Sequence, residues 1–217
     1  MTFRFSLMDP QEVVRRTDME GFEELRAAVE EGTGAVVVSG HLGNWEVAGA
    51  SVAARGVPVD VVAHRQSNPL FDRYLVATRH RLGLTVIVKN DAFRLALRSL
   101  SAGRVAAFVA DQNIRRRGVF VDFFGSPAAT AKGPAVFALR SGAPVFLGTA
   151  VRLPGRLSRY EVKIERVPVR RDAPAQEAIL ELTQRHTSIL EQRIREAPEQ
   201  YFWQHRRWKT RPSPEPR

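Results

Sequence analysis

The segment Ser39-Gly40-His41-Leu42-Gly43-Asn44-Trp45-Glu46 sets a histidine between two glycines, five residues ahead of a glutamate. An imidazole takes up and returns a proton near neutral pH, and a carboxylate beside it fixes its tautomer and stabilises the imidazolium. On one continuous helix, five steps separate two side chains by about 140°, so His41 and Glu46 can meet only if His41 precedes the helix. Asn44 then suits the N-cap, and Glu46 falls in the first turn, where the helix dipole favours a carboxylate. The Gly43 and Asn44 amides would face a developing oxyanion. General base, orienting acid and oxyanion donors converge in this reading. The alternative is a buried structural histidine, with Glu46 as no more than a helix-terminal acid. Gly40 and Gly43 favour the first, since they clear side chains from both sides of His41, as a close-approaching substrate requires.

These residues need a strand before them and a helix after them, and the surrounding pattern supplies both. Ala35 to Val38 is a β-branched run of the buried parallel type, and Val47 to Ala54 is a small-residue helix. Glu20 to Glu31 has helical spacing of Phe22, Leu25, Ala28 and Val29, stopped by Gly32 and Gly34. Further along, strands are expected at Val57 to Ala63, Thr85 to Val88, Val105 to Ala110, Pro144 to Arg152 and Tyr160 to Val167. Helices are expected at Phe71 to Leu82, Asp91 to Leu100, Gly133 to Ser141 and Ala175 to Glu196. This alternation predicts a single α/β domain with a mostly parallel central sheet flanked by helices, and in such folds sites lie beyond the carboxyl ends of the strands.

Composition narrows the partners. The 217 residues are 44% hydrophobic, which suits one core, and carry 33 basic against 23 acidic residues, a net +10. Only Lys89, Lys132, Lys163 and Lys209 are lysines, so the excess is arginine, which binds phosphate and carboxylate bidentately. Nucleic acid, anionic headgroups and phosphorylated small molecules all fit that charge, and coding bias accounts for it equally well. The chain has no cysteine, which excludes disulfides and thiolate chemistry. His64, His80, His186 and His205 lack metal-ligand spacing, so no metal is expected. No apolar run reaches the ~18 residues of a membrane-spanning helix. A dinucleotide fingerprint and a G-x-S-x-G elbow are both missing.

Four blocks in order resemble the lipid A biosynthesis acyltransferases, a branch of the lysophospholipid acyltransferase superfamily with its His-x4-Asp/Glu motif. The first is the His41 block. Next come Ala110-Asp111-Gln112 and Gly118-Val119-Phe120-Val121-Asp122-Phe123-Phe124-Gly125-Ser126-Pro127-Ala128-Ala129-Thr130. Gly133 to Pro144 follows, and Pro198-Glu199-Gln200-Tyr201-Phe202-Trp203-Gln204-His205-Arg206-Arg207-Trp208-Lys209-Thr210-Arg211-Pro212 is similar to the family's closing block. The resemblance implies an O-acyltransferase that moves a fatty acyl group from acyl carrier protein or coenzyme A to a hydroxyl of an anionic glycolipid or lipid. The thioester is a co-substrate, and no cofactor is implied. Members usually carry a membrane-spanning helix ahead of this region. The expectation here is an acyltransferase domain over 1–210 without that helix, a disordered tail over 211–217, and peripheral attachment to the cytoplasmic face of the inner membrane.

Within that frame His41 is the expected general base, Glu46 its partner and Asp122 a second acid, although Asp122 reads equally well as an exposed strand residue. Gly43 and Asn44 are expected to bind the oxyanion, and Arg79, Asp111, Arg115 and Arg152 to meet substrate. The run Arg115-Arg116-Arg117 suits acceptor phosphates or the carrier's acidic surface, or a plain solvated loop. His205 sits in an aromatic-basic segment suited to a bilayer interface. Two alternatives stand beside it: an esterase or thioesterase that uses the same His41 and Glu46 with water as acceptor, and a basic nucleic-acid module suggested by the net charge and the arginine-rich loops. The latter leaves the His41 loop unexplained and shows no recognised reading motif, so no nucleic-acid partner is expected.

Overall fold

The structure, a computed structural model, describes residues 8–88, 92–155 and 158–212. Asp91 and the last five tail residues lie outside that range. The chain begins with helix α1 (Pro10–Arg15), which Asp9 caps by accepting a hydrogen bond from the Glu12 amide, and strand β1 (Thr17–Glu20). Helix α2 (Phe22–Ala28) leads into a wider turn, Val29–Thr33, which Gly32 breaks with φ of 86°. Then come β2 (Ala35–Ser39), α3 (Trp45–Ala53), β3 (Val59–Ala63), α4 (Pro69–Arg81), β4 (Leu84–Val88), α5 (Ala92–Ser101) and β5 (Val105–Val109). A hairpin of β6 (Gly118–Phe123) and β7 (Ser126–Ala131) follows, then α6 (Gly133–Ser141), β8 (Val145–Arg152), β9 (Tyr160–Val167) and the long α7 (Ala175–Glu196).

The sheet order is β1-β9-β8-β2-β5-β3-β4, and every neighbouring pair is parallel except β8 with β9. This is the mostly parallel α/β domain that the alternation of apolar runs predicts. Side chains alternate across the central strands with period two. Val36 and Val38 of β2 and Val145 and Leu147 of β8 pack under α5, α6 and α7, with Ala135, Ala138, Leu182, Leu190 and Ile194. Ala35 and Phe146 point the other way, into a second cluster with Leu25, Val47, Ala50, Val59 and Val162. The sheet is therefore covered on both faces, which is why its strands read as continuous apolar runs.

Candidate active site

Strands β2 and β5 lie side by side in parallel register, Ser39 opposite Val109, and the Ala110 amide extends the ladder by donating to the Ser39 carbonyl at 3.0 Å. His41 and Asp111 each lie two residues beyond that matched pair, so strand register alone brings them together. The His41 Nδ1 lies 2.6 Å from the Asp111 Oδ1, and the His41 amide donates to Oδ2 at 2.8 Å. One carboxylate thus grips both backbone and ring. With the Nδ1 proton shared with Asp111, Nε2 carries the free lone pair, and it faces the Gln112 amide nitrogen at 3.3 Å. Trp45 meets the ring edge-on, centroids 4.5 Å apart, and Phe202 approaches at 6.1 Å.

Asp111 is buried while His41 is part-exposed. Burial pushes the Asp111 carboxyl up, but the bonds and charge of His41, with a further bond from Tyr201, outweigh burial and hold it below the usual carboxylate range. Burial drives the Tyr201 phenol up, and the charge and bond of Asp111 add to that, so the hydroxyl remains a donor. Asp111 is consequently an anion fixed behind an imidazole, the arrangement that makes Nε2 a directed proton acceptor.

The expected partner, Glu46, does something else. Arg79 near the end of α4 donates to it twice, Nε at 2.9 Å and Nη2 at 2.5 Å, and both side chains are about one-tenth exposed. Glu46 thus ties α3 to α4, and Arg79 is committed to it. Asp122 is itself exposed on β6 and accepts from the Gly125 amide within its own hairpin, so its side chain is engaged there. The Gly43 amide donates to the Gln200 carbonyl and the Asn44 amide to that of Ala150, so neither amide is directed at an oxyanion. Asn44 does cap α3, its side chain accepting from Val47. The two glycines clear space for the protein's own atoms. A Cβ on Gly40 would lie 2.6 Å from a Leu190 methyl and 3.2 Å from Asp111, and one on Gly43, at φ of 60°, would lie 2.0 Å from the Ala150 carbonyl. Arg115, Arg116 and Arg117 are exposed on the loop before β6, and Arg152 is exposed, its backbone clasped by the Gln200 side chain.

The closing segment has a structural role that the sequence reading did not give it, and its Arg207 is buried. Residues 198–212 form a strap over the site: the Phe202 amide donates to the His41 carbonyl, Leu42 bridges Tyr201, and the Asn113 amide donates to His205 Nε2. Arg207, 2% exposed, donates to the Ala129 carbonyl and the Thr130 hydroxyl and stacks over Phe123. Phe202 and Trp203 are its outward aromatics. Beneath Asp111, the His186 Nε2 and Arg207 Nε are buried and lack hydrogen-bond partners among the described residues. Burial first, and then the Arg207 charge, lower the His186 pKa to about 4. A folded-state pKa below the unfolded ~6.5 means that the unfolded chain binds more protons between those values, so stability is lost as pH falls from about 6.5 towards 4. Asp111 adds its loss only below the ordinary aspartate range. Denaturant titrations should show about 3 kcal/mol less stability at pH 4 than at pH 7, a slope that His186→Gln flattens; an equal slope in both proteins would rule out this source.

A cavity of about 790 Å3 opens at His41 and runs inward between α3 and the sheet, lined mainly by Val, Ala, Leu and Phe side chains. Its size lies within the ~300–1,000 Å3 of small-molecule sites. The family model described as bacterial lipid A biosynthesis acyltransferase matches residues 1–210. The chain belongs to that family. Among curated relatives, the palmitoleoyltransferase of lipid A biosynthesis from Escherichia coli is 32% identical over 197 residues, covering 90% of this chain and 62% of the relative. The phosphatidylinositol mannoside acyltransferase of Mycobacterium tuberculosis is 33% identical over 148 residues, covering 65% and 46%. The lauroyltransferase of lipid A biosynthesis from Escherichia coli is 29% identical over 204 residues, covering 92% and 64%. The chain thus spans between about half and two thirds of the length of these relatives. Among its described residues, no helix is long and apolar enough to cross a membrane.

Proposed function

We propose that this member of the lipid A acyltransferase family transfers a fatty acyl group from a thioester of acyl carrier protein or coenzyme A to a hydroxyl of an anionic glycolipid. The observation that carries this reading is the His41–Asp111 pair at 2.6 Å, set at the mouth of a long apolar cavity. The cavity takes the acyl chain and leaves the thioester carbonyl beside Nε2. The acceptor hydroxyl gives its proton to Nε2 as its oxygen attacks the carbonyl carbon. The tetrahedral intermediate collapses, the C–S bond breaks, and the imidazolium returns the proton to the departing thiolate. Asp111 stabilises the imidazolium between these steps, and no acyl-enzyme is needed. Gln112, whose amide already faces Nε2, is a side chain placed to donate to the oxyanion.

The acceptor is amphiphilic, and the rim of the cavity suits a bilayer. Leu70, Phe71 and Tyr74 on α4 and Phe202 and Trp203 on the strap are exposed apolar or aromatic groups, and Phe71 and Phe202 line the mouth itself. Such groups embed at headgroup level, while the exposed Arg115, Arg116 and Arg117 meet phosphates. These groups favour peripheral attachment to an anionic membrane surface, and the surface proposed is the cytoplasmic face of the inner membrane, where thioester carriers and nascent lipids meet. The test is thiol release from acyl thioesters with and without lipid extract. Release that requires lipid and yields an acylated lipid by mass spectrometry is expected. Free fatty acid formed regardless of lipid would make the protein a hydrolase, and release no faster than the blank would sink the reading.

A further inference from the structure

Residues Trp45, Ala48, Gly49 and Val52 of α3 line the cavity along one face of that helix. A glycine inside a helix costs roughly 1 kcal/mol relative to alanine, so its presence needs a reason. Backbone conformation gives none, because Gly49 is not among the glycines with positive φ. Packing gives none either. A Cβ built on Gly49 would meet nothing nearer than the Leu84 methyls at 3.5 and 3.8 Å, an ordinary contact. Gly21, Gly34 and Gly43 differ, since a Cβ there would strike a backbone oxygen at 2.5 Å or less. What the missing side chain does leave open is the lumen. Across from it, Val37, Val61 and Ala107 of the central strands are only part-buried, while their neighbours Val36, Val38 and Ala106 on the opposite face are at most 1% exposed. The accessible surface of these three interior residues is therefore cavity wall.

We infer that Gly49 sets the length of acyl chain this site accepts, because a larger side chain there would narrow the cavity part-way along, and a bulky one would close it. Gly49 is four residues beyond Trp45, about 6 Å farther along the helix axis at 1.5 Å per residue. The lining includes Val59 and Val105, the first residues of β3 and β5 and so the ends of those strands away from Asp111, and a chain that enters beside His41 and Trp45 passes Gly49 on its way towards them. A leucine at 49 points its branch across that path, and an alanine narrows it by one methyl group. The inference rests on the acyl-transfer reading above, and its experiment separates the two.

The full chain and its Gly49→Ala and Gly49→Leu variants are assayed with octanoyl, lauroyl and palmitoyl thioesters at saturating lipid. The ratio of palmitoyl to octanoyl kcat/KM is expected to fall at least tenfold in Gly49→Leu, since a misfitting methylene in a hydrophobic pocket is worth about tenfold or more, and by a smaller factor in Gly49→Ala. Gly49→Ala relieves the helix of a glycine and keeps the fold, so it carries the test alone if Gly49→Leu does not fold. Unchanged ratios in an active native protein, or an equal loss at every length in a folded variant, would overturn the inference and leave the transfer reading standing. A native protein inactive with every donor would overturn both.

Discussion

Asp111→Asn is expected to lower acyl transfer by roughly 10³- to 10⁴-fold, and His41→Ala by no less, with the double variant hardly worse than His41→Ala alone. The reasoning starts from the strand register. The carboxylate accepts from both the His41 amide and the Nδ1 side of the ring, and an amide in its place would offer its NH2 group to a ring nitrogen that already carries a proton. Either the ring flips or it loses its neighbour, and in both cases Nε2 no longer faces the substrate as a lone pair. Because base and orienting acid act as one unit, removing the second after the first costs little more. The measurement is kcat/KM for thiol release in the presence of lipid, with circular dichroism to confirm that the variants are folded. Asp111→Asn within tenfold of the native protein would dismiss Asp111 as the orienting group.

How much of this was legible follows from the range over which each signal acts. Ala35–Ser39 and Val105–Val109 read as strands because both of their faces are buried, and Gly133–Ser141, Tyr160–Val167 and Ala175–Glu196 fall where their periodicity puts them. Short and peripheral elements escaped. Strand β1 is an edge of four residues, Thr17, Asp18, Met19 and Glu20, with too few inward positions to establish a period. The hairpin turn Phe124-Gly125 carries no Asn-Gly signature, yet both residues have positive φ, 54° and 73°, as such a two-residue turn requires. Phenylalanine is tolerated there because its amide donates to Glu191 and its ring packs on Phe123 and Trp203 and under Arg195.

The site divides in the same way. His41 was legible from its position between a buried strand and a capped helix. The pairing of Asp111 with it was not, because 70 residues separate the two and only the pairing of β2 with β5 makes them neighbours. One sign was available: both residues follow apolar strands by two positions. The same distance problem hid the Arg79 bond to Glu46 and the burial of Arg207, since a local reading of Arg206-Arg207-Trp208 suggests a surface patch. Local sequence marks where chemistry can happen, and tertiary register decides which acid serves which base.

The second large effect concerns stability, and it separates the two roles Glu46 can have. Glu46→Ala and Arg79→Ala should each destabilise by about 3–5 kcal/mol, because each leaves its former partner buried and unpaired. In a chain of this size that corresponds to a drop in melting temperature on the order of 10 °C. The double variant to two apolar residues of similar volume, Glu46→Leu with Arg79→Met, should recover much of the loss, since the desolvation of two charges disappears along with their attraction. Catalysis should follow a different course. Glu46→Gln keeps the shape and one hydrogen bond to Arg79, so activity per folded molecule is expected to remain within about tenfold of native, against the 10³-fold or greater loss for Asp111→Asn. A Glu46→Gln protein that is fully folded and as inactive as Asp111→Asn would return Glu46 to the catalytic unit, with α3 and α4 then closing differently around bound lipid. Loss of stability with retained turnover would leave it the task its contacts describe, holding the first turn of α3 against the last turn of α4 so that Trp45 and the cavity mouth keep their place beside His41.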